Sequence, residues 1–439
     1  MPIELSNLTF TEQDDVVPAS GEEGILNTGI ANTLAGNDII FGTKQTIIDT
    51  PNQQVFTSLF NSGTLNTADG DDIITGIISH IESTGNYWGI YNRGSIYTGD
   101  GNDKIMGSGF WGIANLSNIT TNNGNDIIIG TSDGDIGPGI SSQGNINTGD
   151  GDDIITGTNT TSGSGYGIFN GFGLPEEIAR TTLDTGDGND IITGMATSAI
   201  LNYATINTGD GADSIIGNAG SNNGSGDRII NKGTINTGNG NDSITSQGKF
   251  INSGGVFLGE GNDLIITDVD LPNRALENFN FIGTGEGNDT ITSTGAIYNE
   301  GIINTGNGDD SIIVDAITGT GYGIYNNGGA IITGDGNDSI IANEGFESAP
   351  NSSGAWFLGE GEDYIKGFGS GDFYGGNGFD TLELTPGTYT VGIWGEGGES
   401  PIFTKGDQLM ITSEFEKLKA GNTIYDFSSL TAGQIIVVA

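Results

Sequence analysis

The chain has 439 residues, a formal net charge of -44, 79 glycines and no cysteine. Its 12 basic residues are scattered, which excludes nucleic acid and anionic membrane as partners, since both need clustered Lys and Arg. Without cysteine no disulfide frame exists, and at 34% hydrophobic residues any order has to come from repetition of a simple unit.

Residues 1–24 have neither a basic start nor an apolar stretch, so they read as an N-terminal cap, not as a secretory signal peptide. From residue 25 to residue 384 one frame recurs, G-[DNE]-G-[ND]-D-x-I, clear at 99–105, 149–155, 186–192, 238–244, 259–265, 306–312 and 334–340. Looser copies end on Asp38, Asp72, Asp126, Asp213, Asp289, Asp363 and Asp380. Self-similarity at a fixed frame is the signature of a solenoid.

One coil can be read between Asp242 and Asp263, where three short pieces stand: Ser243–Ser246, Lys249–Asn252 and 256–258. Each carries β-branched or aromatic residues at alternate positions and is bounded by Gly, Asn or Ser. Such strands bury little alone, but stacked coils bury one Ile column per strand and satisfy their backbones against neighbours. The reading is all-β, a parallel β-helix or β-roll of about 14 coils. A helical period is suggested only at 175–180 and 414–420.

A second column is asparagine: Asn92, Asn115, Asn170, Asn202, Asn231, Asn252, Asn299 and Asn326. Asn tolerates left-handed backbone and can bond its stacked equivalents, so a structural corner ladder is expected. Length varies mainly between the post-motif strand and the next G-I-x-N, at 77–88, 158–166, 218–227 and 343–356, with a further insert at 171–182. Tyr87, Trp88, Phe110, Trp111, Tyr166, Tyr322 and Trp356 gather there. They fit a packed corner, with sugar binding as the alternative. Residues 385–439 leave the frame; 389–394, 409–412, 423–427 and 434–438 read as strands of a C-terminal β cap that closes an open end.

The repeated Asp suggests a metal. Glycine turns expose carbonyls, Asp adds charge, and stacking places Asp over Asp about 4.8 Å apart, a column that repels itself unless a cation bridges it. Calcium takes six to eight hard oxygens and suits such donors. The competing reading is an acidic face that turns for steric reasons alone. The motif resembles the RTX, or hemolysin-type calcium-binding, repeat G-G-x-G-x-D-x-U-x; residues 98–105 (TGDGNDKI) match from the second Gly, and 375–382 (GGNGFDTL) match throughout. The resemblance implies calcium as cofactor. Its side-chain ligands would be Asp72, Asp103, Asp126, Asp153, Asp190, Asp213, Asp242, Asp263, Asp289, Asp310, Asp338, Asp363 and Asp380. It also implies type I secretion through a signal in 385–439 and an extracellular or cell-surface location. Copies mostly 21 or more residues apart, not nine, leave one motif per coil and so one calcium column.

The expected function is a secreted calcium-binding structural or adhesive solenoid, with cell-surface or matrix polysaccharide as partner, self-association open, and no nucleic acid or membrane span. Nucleophile–base catalysis is not expected, since the one histidine, His80, lies in an insert. A calcium-dependent polysaccharide-acting enzyme or a carbohydrate-binding module is the alternative. Ice binding ranks last, because the outward turn position that ice-binding repeats fill with Thr holds Asp100, Asp150 and Asp187.

Overall fold

Among the described residues most coils run through three strands before the motif returns, as the three short apolar pieces require. In the computed structural model, residues 2–18, 23–49, 54–79, 87–171, 180–219, 226–269, 274–316, 321–349, 354–395 and 400–439 are described. They form two compact units, residues 1–239 and 240–439. His80 and most of 175–180 lie outside the described residues.

In the first unit the strands stack into three parallel sheets. The first sheet holds the strand that follows each motif Asp, such as Lys104–Gly109 on Ile127–Ser132. The second holds the strand that ends in Asn, such as Tyr87–Asn92 on Trp111–Asn115. The third leads into the glycine turn, such as Ser95–Tyr97 on Asn118–Thr120. Alternation puts one face of each strand inside. Ile74, Ile105, Ile128, Ile155, Ile192 and Ile215 form the column of the first sheet, and Ile96, Ile119 and Ile146 belong to that of the third, all with no exposed surface. Burying an Ile side chain contributes about 1.5–3 kcal/mol, so the columns hold the stack.

The second unit repeats the plan, with Ile244, Ile265, Ile291, Ile312, Ile340 and Ile365 as the column of its first sheet. Its parallel stacking continues to Gln408–Ser413 on Gly371–Gly378 and to Lys417–Ala420 on Thr381–Leu384. Antiparallel pairs are added there: Gly387–Trp394 lies between Ser400–Lys405 and Ile435–Val438, and Thr423–Asp426 folds back on Lys417–Ala420. Four of these strands match the sequence reading. The two at 400–405 and 417–420 do not, and the second corrects the helical period expected at 414–420: Lys-Leu-Lys-Ala alternates and buries Leu418 and Ala420.

The Asn ladder stands at the corner between the second and third sheets. Asn61 Nδ2 donates to Asn92 Oδ1 and Asn92 Nδ2 to Asn115 Oδ1, both at 2.8 Å. A coil carrying Ser142 interrupts it, and Asn170 and Asn202 resume it. Asn202 also donates to the Thr234 carbonyl and accepts from the Ala204 N–H. We expect Asn202→Ala to destabilise by on the order of 1–3 kcal/mol, because its partners stay buried. Asn236→Ala, on the outer side, should cost under about 0.5 kcal/mol. Urea unfolding checks both.

Among the aromatics, Trp356 is a correction: it sits wholly inside the third sheet of the second unit, stacked on Phe373 with centroids 4.3 Å apart. It takes the inward column position that Ile331 occupies one coil earlier. Among the described residues no helix is long and apolar enough to cross a membrane.

Candidate functional site

The turn joining the third sheet to the first carries the motif, and its glycines are set by stacking. Gly99 and Gly101 have φ of 96° and 148°. A Cβ on Gly101 would lie 1.9 Å from the Gly70 carbonyl oxygen one coil away. That carbonyl is directed at the next glycine's Cα, a close C–H···O approach. The carbonyls of Ala68 and Gly70 therefore point toward the following coil, while the Asp100 carbonyl between the glycines accepts from the Gly70 N–H of the preceding one.

All thirteen sequence-predicted aspartates are buried at 0–1% exposure, and within each unit they are brought into line. They do not form an outer column. In the first unit the backbone N–H of Asp38 donates to Asp72 Oδ1 at 2.7 Å, Asp72 to Asp103, Asp103 to Asp126, Asp126 to Asp153, Asp153 to Asp190, and Asp190 to Asp213 at 2.8 Å. In the second unit the same chain of bonds runs Asp242, Asp263, Asp289, Asp310, Asp338, Asp363 and Asp380. One carboxyl oxygen thus serves as the acceptor that the neighbouring turn needs.

The other oxygen is left over. Oδ2 of Asp72, Asp103, Asp126, Asp153, Asp190, Asp263, Asp289, Asp310, Asp338, Asp363 and Asp380 is buried and has no hydrogen-bond partner. Beside most of them stands a buried Thr five residues earlier, such as Thr67 before Asp72. Thr67 Oγ1 sends its proton to the Thr98 carbonyl at 3.2 Å, so that proton is not given to the Asp72 carboxylate. Burial dominates the electrostatics. It pushes the carboxyls of Asp103, Asp153, Asp190, Asp263, Asp310 and Asp363 up to about 7. Those of Asp72, Asp126 and Asp380 rise to about 6. A neighbouring carboxylate in the column raises Asp103 and Asp190 further.

A second ladder runs outside and in the opposite sense. The residue before most motif aspartates accepts from the following coil: Asn102 N–H donates to Asp71 Oδ1, Asn125 to Asn102 and Asp152 to Asn125, at 2.8–3.0 Å. Such a turn is bonded on its inner side to one neighbour's carboxylate and on its outer side to the other's amide or acid.

Two rungs are absent from the sequence-predicted set. Asp15 donates its N–H to Asp38 Oδ1, and Asp380 donates to Glu416 Oε2, each at 2.8 Å. Both carry a faint signal. Residues 14–17 (DDVV) imitate 37–40 (NDII), and 414–418 (EFEKL) imitate 378–382 (GFDTL), with Glu414 at φ 61° near the glycine position. Glycine is missing from both copies, which hid them.

Calcium can be weighed against these atoms. The unpaired Oδ2 atoms are hard oxygens, the kind calcium takes. Yet among the described residues no three His, Cys, Asp or Glu side chains converge as a metal group. Eleven of the motif aspartates offer a single carboxylate oxygen without a partner, most of them with a threonine beside it.

Fold and column together define a structural repeat protein: a parallel β-solenoid held at one corner by a hydrogen-bonded stack of buried aspartates. Neither a protein-family profile nor a curated protein matches the chain.

Proposed function

We propose that this chain is an extracellular, non-catalytic scaffold whose aspartate columns take up calcium as the fold forms, in the manner of the RTX repeats it resembles. The observation that carries the reading is the row of buried carboxylate oxygens without hydrogen-bond partners. An unpaired buried charge is costly, so each oxygen calls for a proton or a cation. The residues that would hold calcium are the thirteen motif aspartates, eleven of them through an Oδ2 without a hydrogen-bond partner. Bound calcium would supply positive charge between coils, and because sites of this kind exist only in the folded chain, its binding energy adds to folding. The acidic surface and the lack of a basic patch suit an environment rich in cations. By the same resemblance, residues 385–439 would direct export.

A second reading is favoured by the raised carboxyl values and the Thr-filled corner: protons alone neutralise the column. Asp190→Asn separates the two, since it keeps the Oδ1 acceptor and replaces the unpaired oxygen with an uncharged amide. Under the calcium reading wild type gains stability at pH 7.5 when calcium replaces chelator, and Asp190→Asn raises the calcium needed. Circular dichroism against calcium concentration measures both. If calcium leaves the melting curve unchanged and Asp190→Asn stabilises the protein at pH 7.5, protons hold the column and the calcium reading is wrong.

A further inference from the structure

The outer face of the second sheet in the first unit carries a row of rings with a gap in it. In register, the column reads Tyr91, Ala114, Ser141, Phe169. Phe60 lies beyond Tyr91, with their centroids 5.8 Å apart. Two successive coils therefore carry small residues where their neighbours carry rings. Over this gap opens a cleft of about 350 Å³. Trp88 and Trp111, stacked with centroids 4.6 Å apart, line one side, and Tyr166 and Phe169, 5.2 Å apart, line another. Ser141 and Gln143 also line it.

We infer that this cleft binds a neutral pyranose unit of a glycan. The rings offer flat apolar surfaces, which suit the C–H faces of a sugar ring. Polar capacity is left over beside them. Neither the Gln143 side-chain amide nor the Ser141 hydroxyl bonds another described group. Lone polar groups among apolar walls are what orients a ligand in a binding cleft. A purely apolar occupant would leave these polar groups unmet. A charged occupant finds no counterion among the described lining residues, which include no Asp, Glu, Lys, Arg or His, and the chain's charge of -44 repels acidic polysaccharide. Sugar hydroxyls are neutral, both donate and accept, and sit at the edge of a ring whose faces are apolar.

This inference gives the scaffold a partner and rests on that reading only for the setting in which a glycan is met. The closing experiment uses the full chain, with its fold checked by circular dichroism in every sample. Cellohexaose, maltohexaose and hexa-N-acetylchitohexaose are titrated by calorimetry and tryptophan fluorescence, against an alginate hexamer as the acidic control. At least one neutral hexamer should bind, with the alginate hexamer at least tenfold weaker. Ser141→Phe fills the gap with the residue the next coil already carries at that register, so it should keep the fold and weaken binding more than tenfold. Gln143→Ala should weaken it about fivefold with an unchanged melting curve. A folded protein that binds no neutral hexamer at millimolar concentration, or binds it equally well with Ser141→Phe, overturns the inference. Equal binding of the alginate hexamer overturns the neutral class. A protein that fails to fold even in calcium overturns the scaffold reading instead, so the two failures are distinguishable.

Discussion

Gly124→Ala should unfold the first unit at markedly lower urea, with a loss of about 2–5 kcal/mol. Gly124 has φ 140°, where a side chain costs about 1–2 kcal/mol. Its added Cβ would stand 1.7 Å from the Gly101 carbonyl oxygen, so neighbouring backbone must move, at about 1–3 kcal/mol more. That backbone belongs to the stacked turn, and a shift there strains the bond from Asp103 to Asp126. Gly406→Ala is the control. It has φ 62° but nothing within 4 Å of its Cβ, so only the conformational term of about 1 kcal/mol remains. Equal losses at the two sites would show that stacking contributes little to the need for glycine at 124.

The second large effect is on pH. The metal-free protein should be most stable near pH 4 and lose stability steadily toward pH 7. The sign follows from the column. Burial raises the folded-state carboxyl values above 3.8, so between that value and about 7 the unfolded chain has released its protons while the folded one keeps them. Stability is fully present below the unfolded value and falls as pH rises through the folded one. A shift of one unit is worth about 1.4 kcal/mol. Nine aspartates are raised to about 6 or 7. One unit for each would already rival the roughly 5–15 kcal/mol that holds a typical domain together. Melting curves in chelator from pH 4 to pH 8 check this, and a profile that rises toward pH 7 would show the carboxylates to be paired in the folded state. Calcium, if it loads the column, should flatten the profile above pH 6 and leave it unchanged near pH 4.

Much of this architecture was legible in the residues. The Ile after each Asp, the three apolar pieces of the coil and the row of Asn specified three stacked sheets and a corner ladder. The direction of the aspartates was not legible. A turn that ends in Asp at every coil has the same spacing whether the carboxyl faces outward to an ion or inward to the next turn's N–H, and only packing decides. The tight glycine turn and Thr67 fill the corner and draw Asp72 inside. The end rungs were hidden because Asp15 and Glu416 keep the hydrogen bond while losing the glycine that marked the frame. Trp356 misled for another reason: ring size says nothing about which side of a strand a residue occupies when coil length around it varies.

Each inner rung takes a proton donor from one neighbour and gives its own to the other, so every middle coil presents the same pair of faces. A whole coil can then be gained or lost within a unit without redesigning its neighbours, since the new turn meets the same acceptor and the same donor. The end is different. Asp380 hands its N–H to Glu416, whose longer side chain supplies the acceptor there. Coil number is thus free to drift under duplication and deletion while the terminating rung stays put, and relatives of this chain should differ by whole coils more readily than by changes inside one.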